Sequence, residues 1–144
     1  MLRAAARGRA GGLGAKDPEC RLDTHARLWW ATLSSRLSKK AKALIASEAT
    51  EVHVSAASAW EIAIKVRLGK LAWPATAGTV NAYVLGQAFR QLPISLEHAE
   101  RAGQLLIDHR DPFDRMLIAQ AQVEDLWLVS NETIFDATGI RRYW

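Results

Sequence analysis

From Cys20 to the end of the chain, short apolar runs alternate with stretches of helical period, and this rhythm narrows the possible folds more than any other feature. Val52 with Val54, Leu92-Pro93-Ile94, Leu126 to Val129 and Ile140 to Trp144 read as strands. Between them the spacing predicts a helix carrying Ala26, Leu28, Trp29 and Trp30, and a second from Ser38 with Ala41, Leu44 and Ile45 three and four residues apart. Further helices are expected over Ala56 to Leu68, over Thr79 to Phe89, from Leu96 to about Leu106, and from Asp111-Pro112 through Met116, Leu117, Ala119 and Ala121. Strands separated by helices imply α/β architecture with a parallel sheet covered on both faces. The helix over Ala56 to Leu68 is apolar almost all round, which predicts burial. The run ending at Leu22 is short and broken by Arg21, so it makes an unconvincing strand.

Composition excludes several classes. At 144 residues the chain is long enough for one domain with a real core. No stretch approaches the roughly 18 apolar residues of a membrane-spanning helix, so no membrane partner is expected. The lone Cys20 rules out an internal disulfide, fits a reducing, cytoplasmic setting and reads as inert packing; with four scattered histidines it offers no zinc-type spacing. The net charge of +4 hints at nucleic acid, but four of the 19 basic residues, Arg3, Arg7, Arg9 and Lys16, precede Asp17 and leave 15 against 15 acidic ones. Any basic groove must therefore come from spatial arrangement. The Ala/Gly/Arg-rich residues 1–18 read as a disordered or mis-started extension, and 19–144 as the folded domain.

Four acids stand beside apolar segments: Asp23 after Leu22, Glu61 after Trp60, Asp114 after Phe113, and Glu132 shortly after Val129. In the expected fold Asp23 and Glu132 follow strand ends, while Glu61 and Asp114 fall in first turns of helices. Ligands of open parallel sheets sit at that edge. Each acid alone has an ordinary explanation. Ser58-x-x-Glu61 matches a capping box, and Glu61 could pair with Lys65. Asp111 before Pro112 is a natural N-cap, with Asp114 near the positive end of the helix dipole. Asp23-Thr24 could cap a helix, and Glu132 could be a turn residue. Capping does not explain why all four should share one sheet edge. Three or four converging carboxylates suit Mg²⁺ or Mn²⁺, which can activate water for phosphodiester hydrolysis without a covalent nucleophile.

The chain from about Leu22 to Trp144 resembles the PIN-domain ribonucleases, close to the VapC-type toxins of type II toxin–antitoxin pairs. The matching stretches are Leu22-Asp23-Thr24-His25 with Trp29-Trp30, Arg36-Leu37-Ser38, and Val54-Ser55-Ala56-Ala57-Ser58-Ala59-Trp60-Glu61-Ile62-Ala63-Ile64-Lys65. They continue through His109-Arg110-Asp111-Pro112-Phe113-Asp114-Arg115-Met116-Leu117-Ile118-Ala119-Gln120-Ala121 and Leu128-Val129-Ser130-Asn131. The resemblance implies a three-layer α/β/α sandwich with a central, mostly parallel sheet. It implies a divalent-metal-dependent endoribonuclease cutting RNA, possibly tRNA, with an antitoxin partner and, as in similar proteins, a homodimer. The family's acids map onto Asp23, Glu61 and Asp114, and its fourth, usually aspartate, onto Glu132. Ser58 and Thr24 could orient the carboxylates. Similar toxins open on an aliphatic first strand; Glu19-Cys20-Arg21-Leu22 stands there instead, which favours a wrong start or a decayed copy that binds antitoxin or RNA without cleaving. A DNA-directed nuclease is a more distant alternative.

Other residues carry weaker expectations. His25 could be a ligand or proton shuttle but reads better as packing. His109 and Arg110 could touch phosphate or lie in a solvated loop. Arg115 is the better phosphate candidate, because guanidinium binds phosphate bidentately, and could equally hold Asp114 or a neighbouring acid. Trp29, Trp30 and Trp60 read as core or interface, and the Trp29 to Ile45 region as a groove for an antitoxin helix.

Overall fold

The computed structural model describes residues 19–22, 26 and 30–144, and at 20–22 the backbone alone. In chain order the elements are β1 (Glu19–Leu22), α1 (Lys39–Ala46), β2 (Glu51–Ser55), α2 (Ala56–Arg67), α3 (Val80–Gly86), β3 (Arg90–Leu92), α4 (Leu96–Gln104), α5 (Pro112–Val123), β4 (Trp127–Val129) and β5 (Arg142–Tyr143). A single 3₁₀ turn covers Ala75–Ala77 and a two-turn 3₁₀ helix covers Thr133–Thr138. Ala26 and Trp30 are helical and buried. The expected extension over 1–18 lies outside the described residues, as do Leu28, Trp29 and the side chain of Cys20.

The five strands form one parallel sheet in the order β3-β2-β1-β4-β5. The least convincing strand of the sequence is the central one. β1 pairs on one side with β2, Leu22 opposite Val54, and on the other with β4, Leu22 opposite Val129. Two sets of neighbours make its backbone a ladder whatever its side chains, so tertiary context overrides a weak local pattern.

Alternation sorts side chains between the faces. Val52, Val54 and Val129 join Ala26, Trp30, Leu37, Ala41, Ile45, Val84 and Phe89 in one core. Leu128 points the other way, into a second cluster with Ile118 and Phe135. The sheet thus lies between two apolar layers, the expected α/β/α sandwich. Trp30 is core, 5% exposed, its indole N–H donating to Gln87 Oε1 at 3.2 Å.

Local chemistry sets the element ends. Ser38, Thr79, Ser95 and Asp111 each accept a hydrogen bond from the first turn of the helix that follows. α2 starts earlier than the Ser58-x-x-Glu61 capping box required: Ser55 caps it, accepting from the Ala57 N–H at 3.0 Å. Ser58 is therefore inside the first turn, buried, and Glu61 lies in the second turn. The edge strand β3 ends at Leu92, before the Leu92-Pro93-Ile94 run is complete. Proline has no N–H for the ladder, and the Pro93 carbonyl instead accepts from Gln120 Nε2 at 3.3 Å. α2 also departs from the burial its apolar sequence predicts. Ala57, Ser58, Glu61 and Ile62 face inward, while Trp60 and Leu68 are more than half exposed.

Candidate active site

The carboxyl ends of β1, β2 and β4 lie side by side, since Leu22, Val54 and Val129 share one register row. Beyond that row the chain passes into Ser55 and α2, and into Ser130 and the turn bearing Glu132. α5 packs against α2 there, with Phe113 edge-on to Trp60 at a centroid separation of 5.2 Å. Three of the four predicted acids, Glu61, Asp114 and Glu132, gather in this region, joined by Asp111. Asp23, Thr24 and His25 lie outside the described residues.

Glu61 is 4% exposed and is held by Lys65 one helical turn on, Nζ to Oε2 at 2.6 Å. That is the i, i+4 pair expected from the sequence. The Lys65 ammonium is held above its ordinary pKa, chiefly by the hydrogen bond to Glu61 and further by the charges of Glu61, Asp111 and Asp114, against the opposing effect of burial. One lysine therefore senses three of the acids.

Asp114 is placed by its own helix start. Asp111 Oδ1 accepts from the backbone N–H of Phe113 at 2.9 Å and of Asp114 at 3.1 Å, with Pro112 at the first helical position. The Asp111 cap is thus as the sequence predicts. The Asp114 carboxylate meets His109 Nε2 at 2.7 Å. Burial pushes the Asp114 carboxyl above its ordinary pKa; the His109 hydrogen bond opposes this, and the charges of Asp111 and Glu132 add to it. A half-buried carboxylate with the negative charges of Asp111 and Glu132 nearby is an arrangement a cation relieves. Glu132 is reached through Ser130, whose Oγ accepts from the Glu132 N–H at 3.1 Å.

The Arg115 guanidinium is committed to the main chain rather than to Asp114. Its guanidinium donates to main-chain carbonyls: Nε to Ala102 at 3.1 Å, Nη1 to Ile107 at 3.2 Å and His109 at 3.1 Å, and Nη2 to Leu105 at 2.8 Å and Gly103 at 3.5 Å. It binds the carbonyls at the C-terminal end of α4 and in the following loop, the loop that delivers His109 to Asp114. Neither His109 as a carboxylate partner nor Arg115 as a loop clamp was found from sequence; a histidine five residues before an acid carries no helical spacing to signal contact.

A second polar group supports the same edge. Ser55 Oγ donates to Gln120 Oε1 at 2.6 Å, and both residues are fully buried. Gln120 Nε2 lies 3.4 Å from His98 Nδ1, and His98 Nε2 lies 2.7 Å from Glu124 Oε1. Ser55 thus caps α2 and ties it to α5, fixing Glu61 relative to Asp114.

The PIN domain family profile matches residues 21–140. The chain belongs to the PIN domain family. No curated protein matches it by sequence. Among solved structures, VapBC2 of Rickettsia felis bound to a promoter DNA fragment has a chain 14% identical at a TM-score of 0.63, aligned over 88% of this chain and 98% of that one. A toxin–antitoxin complex from Klebsiella pneumoniae gives 19% and 0.59, over 87% and 96%. VapC20 of Mycobacterium tuberculosis, a sarcin-ricin loop cleaving toxin, gives 21% and 0.58, over 84% and 95%. At these identities the likeness is one of fold, and it spans nearly the whole of each PIN chain.

The residues present fit a hard divalent cation by donor chemistry: Glu61, Asp114 and Glu132 offer carboxylate oxygens alone, and burial together with the charges of Asp111 and Glu132 raises Asp114. Among the described residues, Glu61, Asp114 and Glu132 do not all approach one another within 4.8 Å; the one group of three such side chains whose ligand atoms do lies at the other end of the sheet, and is Glu19, Glu51 and His53. There Glu51 Oε1 already accepts from Arg90 Nε at 2.6 Å, so an internal cation satisfies it.

Proposed function

We propose that this PIN domain is a divalent-metal-dependent endoribonuclease acting in the cytoplasm as the toxin of a toxin–antitoxin pair. The observation that carries the reading is the Asp114 neighbourhood, in which burial and the charges of Asp111 and Glu132 raise a carboxylate that His109 contacts, while Lys65 bonds Glu61 and senses Asp111 and Asp114. Asp23, Glu61 and Asp114 would hold Mg²⁺ or Mn²⁺, with Glu132 completing the set. When bound, such an ion supplies Lewis acidity at a phosphodiester and lowers the pKa of a water.

The chain's own residues do the rest. Asp111 fixes Asp114 in the first turn of α5 through its main-chain N–H. His109 orients the Asp114 carboxylate from the loop that Arg115 holds, and Lys65 balances Glu61 and lies within reach of a second anion. Ser58, buried one turn before Glu61 on α2, supports its placement.

Two of the chains that share this fold come from VapBC2 and from a toxin–antitoxin complex, which supports an antitoxin partner here; RNA as substrate, tRNA among the options, and homodimerisation belong to the same proposal. The second reading is a decayed module that binds antitoxin or RNA without cleaving. The 2.6 Å Glu61–Lys65 ion pair favours it, because Glu61 is satisfied without a metal. Incubating total RNA with Mg²⁺ separates the two. Cleavage by the wild type, lost on adding chelator and reduced about 100-fold or more in Asp114→Asn, supports the nuclease; equal behaviour of the two proteins refutes it.

A further inference from the structure

α2 leaves its largest side chain uncovered immediately before its acid. Trp60 is 62% exposed. Its indole is nonetheless fixed, meeting Phe113 at 5.2 Å between centroids and 76° between planes. Phe113 directly precedes Asp114 as Trp60 directly precedes Glu61, so each half of the aromatic pair adjoins one carboxylate. Along the same face of α2, Ala56, Trp60, Ala63 and Arg67 follow at helical spacing, and all four are exposed. The indole is thus bordered by small side chains, with a guanidinium two turns along the helix.

We propose that Trp60 is a stacking platform for an unpaired nucleobase of the RNA strand whose phosphate lies at the acid cluster. The proposal rests on the nuclease reading above, and it names a substrate class: RNA with a splayed-out base next to the scissile bond. Charge argues for it. Carboxylates repel a phosphate backbone, and from Asp17 onward the chain balances 15 basic against 15 acidic residues, so bulk attraction is weak. Binding must then draw on the bases, and aromatic rings take any base by its π face. A paired base has both faces covered and cannot use the platform. Arg67 supplies a positive group for the flanking phosphate.

The test compares wild type with Trp60→Phe and Trp60→Leu in the full chain. Binding of a short, fluorescein-labelled, unpaired adenine-rich RNA is read by anisotropy without divalent metal, and cleavage of the same RNA is read with Mg²⁺. The expected result is binding about 10- to 100-fold weaker for the leucine variant, with the phenylalanine variant within about three-fold of wild type, and a cleavage loss carried by KM. Equal affinities in all three proteins, or no RNA binding by wild type, overturn the platform; if wild type still cleaves RNA, the nuclease reading survives. Affinities falling as expected while wild type cleaves nothing keep the stacking role and remove the nuclease. A change of oligomeric state in Trp60→Leu without RNA, measured by light scattering, overturns the proposal in favour of a subunit contact.

Discussion

Asp114 is the residue on which stability and chemistry pull apart. Its carboxyl is raised by burial and by Asp111 and Glu132, more than His109 offsets. For an acid whose folded-state pKa exceeds its unfolded value, the native state binds the proton more tightly. The penalty is therefore absent below the unfolded pKa, grows as pH rises through the folded pKa, and is complete above it. Asp114→Asn should raise Tm by about 2–5 °C at neutral pH without metal, with the gain shrinking as pH falls through the raised folded-state pKa and gone below the ordinary carboxylate range. A calorimetric pH series checks this; a gain that grows toward acid would reverse the sign. The same substitution should abolish cleavage, the usual exchange between site chemistry and stability.

Elements hold the site through polar contacts that amphipathic patterns do not encode. Arg115 binds five carbonyls around the end of α4 and the His109 loop, so Arg115→Met leaves mostly half-buried acceptors without donors. A loss of about 2–4 kcal/mol is expected, seen as a lower urea midpoint at unchanged slope. Arg115→Lys should recover little, because an ammonium cannot span the same set of acceptors. At the other support, Ser55→Ala removes both the cap of α2 and the bond to Gln120; about 1–3 kcal/mol is expected, and a double-mutant cycle with Gln120→Leu should show coupling. These contacts explain what was legible. Helices α1, α2 and α5, strand β2 and the Asp111 cap follow from periodicity and from local capping chemistry, and the sequence states both. The placement of β1 at the centre depends on β2 and β4, and the partners of Arg115 and His109 on a loop path. Neither leaves a mark at fixed spacing. The shifted capping box is a case of two serines three residues apart, Ser55 and Ser58, between which the strand's end decides the helix start.

At the scale of the molecule, one parallel sheet brings segments far apart in sequence to a single edge, and that is how Glu61, Asp114 and Glu132 become neighbours. The resemblance read from the segments around Glu61 and Asp114 agrees with the family profile over residues 21–140. Among the described residues no helix is long and apolar enough to cross a membrane. A cation that binds only the folded arrangement must stabilise it, by about 2.7 kcal/mol at one hundred times its dissociation constant. Saturating Mn²⁺ should therefore raise the wild-type Tm by several degrees and that of Asp114→Asn by markedly less.

Calorimetric titration of Mn²⁺ into wild type, Glu61→Gln and Asp114→Asn addresses the converging carboxylates most directly. Saturable binding by wild type, weakened at least about tenfold by either substitution, is the predicted result. Binding that both variants retain unchanged would put the ion elsewhere, with the Glu19–Glu51–His53 group the first place to look, and would contradict the site assigned here.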